Sequence, residues 1–412
     1  MNEYTLIKNN SKWLCILAAF FLSLYLFCAH FRYPFSSTYF LYFGFGAAVI
    51  ALVLKAKLLV SKPLIVYIII VADMCIGTLY SNNAERGKRE AVFFLIYIAF
   101  YWLSMQNDLF LKIAKKLFYC FAFIGMLTVY LQFFFRGPFN LMLSRIIRPD
   151  IYENVMWSYN VDGTFTGATQ SVSMASFSMA IVFFVAIQNA LNLHFERDTF
   201  SRSRIAQNHA GRVKTLNYTV AVMALFGIIL TSKRGIFLAV ILALVITLVM
   251  DKDVTFRYIA RAQFIIGAIA ALILLTVGMY FISTNDYITA FIGRFSGPNI
   301  TTGRDVFYEN ALSDFSQGSV LNYIFGKGTA SAYLINETGL HNVYLQILYD
   351  HGILGIILYA LFFFINLRNA VQNRFFYSMC LQIMFLAYCM SGNPLYDYYF
   401  FLPYLIYSCD KS

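Results

Sequence analysis

The sequence predicts an all-helical, polytopic membrane protein. Sixty per cent of its 412 residues are apolar and 18% aromatic, while only 12% are charged, about half the ~25% of a soluble domain. The mean hydropathy is +0.66. Apolar blocks long enough to cross a bilayer recur along the chain, and one soluble core does not hide 43 Phe residues, because the buried fraction rises only slowly with length. The net charge of +11 does not read as a nucleic-acid footprint. The basic residues sit in short loops between apolar blocks, where a cationic surplus sets topology and meets anionic lipid.

A helical span needs about 20 apolar residues. Twelve segments are expected to cross: about 13–31, 38–54, 63–80, 91–105, 117–135, 166–190, 217–231, 235–250, 263–283, 342–365, 377–390 and 397–408. The first is too long for the apolar core of a cleavable signal and has no small-residue cleavage site. With the N-terminus inside, the inner segments hold 19 of the 31 Lys and Arg against 7 of the 20 acids. The 191–216 loop, with Arg197, Arg202, Arg204, Arg212 and Lys214, is the strongest inner marker, and both termini then face the cytoplasm. The loop SNNAERGKRE (81–90) breaks this rule by placing Arg86, Lys88 and Arg89 outside. Two outer segments are long, 136–165 and 284–341, and both contain stretches of helical character that suit helices lying at the interface or over the mouth of the bundle. With no internal repeat and no low-complexity linker, residues 1–412 read as one integral membrane domain. The seven cysteines lie in or beside apolar segments without metal-ligand spacing and read as small buried hydrophobes.

The outer cations cluster at Arg86 and Arg89, at Arg145 and Arg148, at Lys233 and Arg234, and at Arg304. Arg234 opens a helix as TSKRGIFLAVILALV, where the dipole and the free N–H groups also favour an anion. Guanidinium groups bind phosphate through paired hydrogen bonds, so several converging on one cavity imply a phosphate or diphosphate ligand. The bland alternative is that each Arg snorkels to lipid headgroups. Of five histidines, His341 and His351 stand in ETGLHNVYLQILYDHGILGIILY. At the interface, a neutral His341 imidazole can accept a proton from a hydroxyl; equally, it can serve as an aromatic-like anchor beside Tyr344. His351 and Asp350 lie about two and a half turns deeper, where ionisable groups must face protein or water. Asp73 is similarly costly, with nothing adjacent to give it a role. No G-x4-GK[ST], H-E-x-x-H or outer D-x-D pattern occurs, so nucleotide hydrolysis and metal catalysis have no support. A driven transporter normally shows more intramembrane acids and paired broken helices or repeats.

Four of these segments, in this order, resemble the O-antigen ligase and polymerase superfamily, bacterial membrane enzymes that transfer lipid-linked glycans. They are TSKRGIFLA (Arg234, three intervening residues and Leu238), TTGRDVFYENAL (Arg304), IFGKGTAS, and LHNVYLQILYDHG (His341, ten intervening residues and Gly352). Upstream, FTGATQSVSMASFSMAI resembles that family's small-residue helix, so the resemblance covers about 165–365. It implies an all-helical, C-type glycosyltransferase-like fold with a large periplasmic loop (284–341) in the bacterial inner membrane. It also implies a metal-free, cofactor-free transfer from an undecaprenyl-diphosphate-linked glycan donor to a glycan acceptor on the periplasmic face. Arg234 and Arg304 would stabilise the leaving diphosphate, with Arg86, Arg89 and Lys233 as helpers, and His341 would orient or deprotonate the acceptor hydroxyl, beside Asn342 and Tyr344. Asp305, next to Arg304, could pair with it and weaken that role. The leading expectation is a polymerase of repeat units, which implies a chain-length regulator as partner. The alternatives are the ligase that moves finished polysaccharide to lipid A–core, and a flippase or transporter.

Overall fold

The computed structural model describes residues 3–55, 58–199, 204–250, 303–373 and 376–409, with backbone alone at 3–10, 191–199 and 204–211. Among the described residues the regular structure is helical, in α1 (Glu3–Cys28), α2 (Thr38–Val53), α3 (Lys62–Tyr80), α4 (Ala84–Gln106), α5 (Asp108–Phe134), α6 (Arg136–Ile146), α7 (Pro149–Asp162), α8 (Val172–Thr199), α9 (Arg204–Leu230), α10 (Arg234–Met250), α11 (Arg304–Ser316), α12 (Val320–Phe325), α13 (Val343–Gln372), α14 (Phe376–Tyr388) and α15 (Tyr398–Ser408). Six of them, α1, α3, α5, α8, α9 and α13, are long and apolar enough to cross a membrane, since 1.5 Å per residue over about 20 residues spans a ~30 Å hydrocarbon layer. This is a multi-pass, all-α membrane protein. The expected span at 263–283 lies outside the described residues.

Local chemistry sets the ends of these helices. α3 starts after Ser61 with Pro63 in its first turn, where the missing N–H costs nothing. Asn107 caps α5 by accepting from the N–H groups of Leu109 (3.0 Å) and Phe110 (3.1 Å), and Asn342 caps α13 through Leu345 N–H (3.2 Å). Between the helices the core is aromatic. Tyr67 of α3 stacks on Phe362 of α13 with ring centroids 5.4 Å apart and meets Tyr101 of α4 edge-on at 5.6 Å. Tyr101 Oη donates to Asn366 Oδ1 at 2.8 Å. Hydrogen bonds of this kind tie helices together where no hydrophobic force distinguishes lipid from protein. Two intramembrane acids also meet groups from other elements. Asp73, which the sequence left without a role, lies 2.8 Å from Nδ1 of His351, and Asp350 accepts from Ala332 N–H at 2.8 Å.

Two local features depart from the sequence reading, and a third matches it. The stretch 166–171, expected to begin a span, is irregular, and α8 begins only at Val172. Irregular backbone at this depth persists because Gln132 Oε1 accepts from Thr166 N–H (3.0 Å) and Gly167 N–H (2.8 Å), and Thr128 Oγ1 from Ala168 N–H (2.9 Å). The basic 191–216 segment is largely helical, as the end of α8 and the start of α9. The 136–165 segment forms two helices, as expected, pinned to the end of α1 by an antiparallel bridge between Phe31 and Ile147 and by Arg32 Nε donating to Ile147 O at 2.6 Å.

A loop is also locked into a broken helix. α13 is interrupted at Gly352, whose φ of 63° is left-handed. The carbonyls of Tyr349 and Asp350, just before the break, accept from Lys327 N–H (2.8 Å) and Gly328 N–H (3.0 Å). Gly328, at φ 98°, leaves no room for a side chain: a Cβ there would meet Gly77 O at 2.7 Å. Thr329 then donates to Met74 O at 2.7 Å, and Ser81 donates to Thr329 O at 2.7 Å. The Gly326–Lys327–Gly328 turn and Gly352 are thus two halves of one joint that fastens the 303–340 segment to α3 and α13.

Candidate functional site

At the end of the bundle where this joint sits, a cavity of about 360 Å³ opens among α4, α8, α10, α13 and the 389–397 turn. The first turns or N-caps of five helices reach its wall: Arg86 of α4, Ser171 and Ser173 at the start of α8, Lys233 before α10, His341 before α13 and Asp397 capping α15. Each helix start brings unpaired N–H groups and about half a positive charge. Convergence of several such ends, together with cationic side chains, makes the cavity electropositive.

Arg86 is held in place from three sides. Its guanidinium lies 3.2 Å above the centroid of the Tyr333 ring, Nη1 donates to Glu337 O at 3.0 Å and Nε is 3.6 Å from Glu90 Oε1. Lys233 lines the cavity from the tight turn between α9 and α10, where Ser232 adopts a left-handed φ of 52°. His341 also has a left-handed backbone, φ 54°, a conformation costly for a residue with a Cβ and held only by its surroundings. Its Nε2 is 3.1 Å from Thr338 Oγ1, and its carbonyl accepts from Tyr308 Oη at 3.4 Å. Burial, and then the positive charges of Arg304 and Lys233, push the imidazole down to about 4, so it is neutral at physiological pH. Arg304 opens α11 and donates to Ser391 O at 2.8 Å, which places its charge within reach of His341.

The structure therefore brings together Arg86, Lys233 and His341, with Arg304 beside them. The other expected residues stand elsewhere. Arg89 is exposed on α4 and Arg234, half-buried in the first turn of α10, follows Lys233 without lining the cavity. Asn342 serves as the helix cap, and Tyr344, exposed, donates to Leu386 O at 2.8 Å and clamps α13 to α14. Sequence reading missed the rest of the wall, chiefly Tyr333, Tyr388, Asn393, Tyr396 and Asp397. Most of these come from SGNPLYD, a polar Asn-Pro turn between two apolar segments, whose composition was the available signal. Asp397 Oδ1 accepts from Tyr399 N–H at 2.9 Å. Asn393 Nδ2 donates to Thr338 O at 3.0 Å, so this turn also braces the segment before His341. Chemically, the site offers fixed cations and helix N-termini for an anion, a neutral imidazole, and an aromatic and amide wall suited to a polyhydroxylated group. No protein-family model matches the chain, and no curated protein matches it.

Proposed function

We propose that the chain is a membrane glycosyltransferase that polymerises oligosaccharide repeat units carried on undecaprenyl diphosphate, on the periplasmic face of the bacterial inner membrane. The observation that carries this reading is the convergence of Arg86, Lys233 and five helix starts on the cavity that also holds His341, with Arg304 beside it. In the proposed reaction an acceptor hydroxyl attacks the anomeric carbon, the carbon–oxygen bond to the diphosphate breaks, and the diphosphate leaves with the electron pair. Its growing charge is met by Arg86, Lys233 and Arg304, preorganised donors in a partly dehydrated site, with Arg234 behind Lys233 in the first turn of α10. The neutral His341 imidazole receives the hydroxyl's hydrogen bond and then its proton. The reading further takes the chain as twelve spans with both termini cytoplasmic, working beside a chain-length regulator.

The test is the glycan profile of a strain lacking the gene, complemented with the parent or with Arg304→Gln. Single repeat units on the surface lipid, restored to polymer by the parent alone, support polymerisation. Loss of all polymer from lipid A–core with long lipid-linked chains accumulating supports the ligase reading instead. An unchanged profile overturns both.

A further inference from the structure

α12 is a six-residue helix, VLNYIF, without a charged side chain. One side of it is packed: Tyr323 meets Phe315 of α11 edge-on, with ring centroids 5.3 Å apart, and donates to Ser316 O. The other side is bare. Val320 and Leu321 are 72% and 66% exposed, and Ile324 and Phe325 are each 42% exposed. The next charged residue along the chain, Lys327, is committed to α11, where its Nζ donates to Asp314 Oδ2 at 2.6 Å. A contiguous apolar face of this kind is a liability in water and marks an interaction surface.

Its position identifies what covers it. Tyr80 Oη, on the last residue of α3, donates to Phe325 O at 2.8 Å. Gly352 of α13 comes so close to Ile324 O that a Cβ there would stand 2.5 Å from it. α12 therefore lies against two helices that are long and apolar enough to cross a membrane, level with the interior of α13 rather than beyond its start at Val343. Near this contact α3 exposes Ile76 and Leu79, and α13 exposes Ile353 and Ile357. The bare side of α12 thus continues the faces that two spans turn to lipid. The backbone is prepared for the same surroundings. Ser319 Oγ accepts from Asn322 N–H (3.3 Å) while Asn322 Oδ1 accepts from Ser319 N–H (3.0 Å), and at the other end Asn322 Nδ2 donates to Gly326 O at 3.2 Å. Side chains close both ends of the helix, which hydrocarbon demands and water does not. We propose that α12 is a membrane-inserted anchor. Its Val320, Leu321, Ile324 and Phe325 sit among the acyl chains of the leaflet at the cavity end of the bundle and moor the 303–340 segment, which begins with Arg304, to that leaflet. An apolar helix face held in this way lies about 5–10 Å into the boundary between headgroups and chains.

The experiment places a tryptophan on the bare face of the full-length chain in phosphatidylcholine nanodiscs and reads its fluorescence as the difference from the parent. Leu321→Trp adds an aromatic ring at an exposed position, where the membrane boundary favours tryptophan. Phe325→Trp, an aromatic-for-aromatic change, is the second probe should the first fail to fold. Glu309→Trp, at an exposed charged position of α11, is the reference. The two α12 probes are expected to emit to the blue of Glu309→Trp and to lose most of their intensity when the lipid is replaced by phosphatidylcholine brominated near the top of its acyl chains, while Glu309→Trp keeps its intensity. Red, unquenched emission from both α12 probes means that water covers the face, and blue, unquenched emission means that protein covers it. Either result overturns the anchor. Quenching of Glu309→Trp as strong as that of the α12 probes overturns the assignment to α12, because the whole segment would then lie in lipid.

Discussion

Substituting Gly352 by Ala strikes the joint between the broken helix and the Gly326–Gly328 turn. A Cβ on Gly352 would stand 2.5 Å from Ile324 O and 2.6 Å from Gly326 N, and those are backbone atoms that cannot rotate aside. The left-handed φ of 63° alone costs a residue with a side chain about 1–2 kcal/mol. Backing the turn away from the new methyl breaks the bonds from Lys327 and Gly328 to the carbonyls of Tyr349 and Asp350, at about 1 kcal/mol each. The total is roughly 3–4 kcal/mol, large for a single methyl group. Gly46→Ala is the control, since nothing lies within 4 Å of a Cβ there and a helical Gly→Ala change is neutral or favourable. The assay is thermal unfolding of the detergent-purified protein, followed by loss of the monodisperse peak on size-exclusion chromatography. Gly352→Ala is expected to melt well below the parent and Gly46→Ala alongside or above it. A Gly352→Ala protein that melts with the parent refutes the joint.

Other outcomes follow from the cavity. Because His341 is pushed down to about 4, the neutral base persists from neutral pH down to that value, and transfer by the purified enzyme should fall only as pH drops through about 4; an acid limb near 6.5 contradicts the assigned environment. Arg304→Gln removes one of the two cations that depress it, so the acid limb should move upward as overall activity falls. His341→Ala should lower transfer by about 10²–10⁴ while binding of undecaprenyl diphosphate persists, and a His341→Tyr protein that still makes polymer rules out the base. A reporter fused after Asn208 should be cytoplasmic and one near Gly318 periplasmic, with the reverse result overturning the orientation.

The apolar helices were legible because apolar run length is a one-dimensional property. Of the twelve expected segments, the eleven that fall on described residues each overlap a helix, but α1, α4, α5 and α9 begin 7 to 13 residues before the expected start, α8 begins late at Val172, and α8 and α13 run 9 and 7 residues past the expected end. The irregular 166–171 stretch was not legible, because what stabilises it is Gln132 Oε1, more than thirty residues earlier. Asp73 read as an isolated cost and His351 as a cost shared with Asp350, and only the packing of α3 against α13 brings Asp73 to His351. At the site, Arg86 and His341 were singled out by misplaced charge and by interface position, and both line the cavity. Tyr344 and Asn342 were adjacent in sequence to His341 but point to structural duties, since neighbours on a helix start diverge by about 100° per residue. The SGNPLYD turn carries no charge pattern of its own beyond Asp397, so its polar Asn-Pro composition marks a turn but not a cavity wall.

The arginines alone do not explain the site's polarity. Arg86 spends part of its charge on Glu90, and Asp397 adds a carboxylate to the same wall. What tips the balance is the backbone: α4, α8, α10, α13 and α15 all start at the cavity. Asp397 is partly committed to capping one of them, through Tyr399 N–H, so the acid offsets one helix end and leaves four. Helix dipoles cannot relax away from a leaving group as a mobile lysine can, and they act within about one turn, which confines the positive field to the mouth. A bundle whose chain enters the membrane repeatedly from one side thereby places every descending helix's N-terminus on that face, and the gathering of five of them around one cavity is what the proposed anion site rests on.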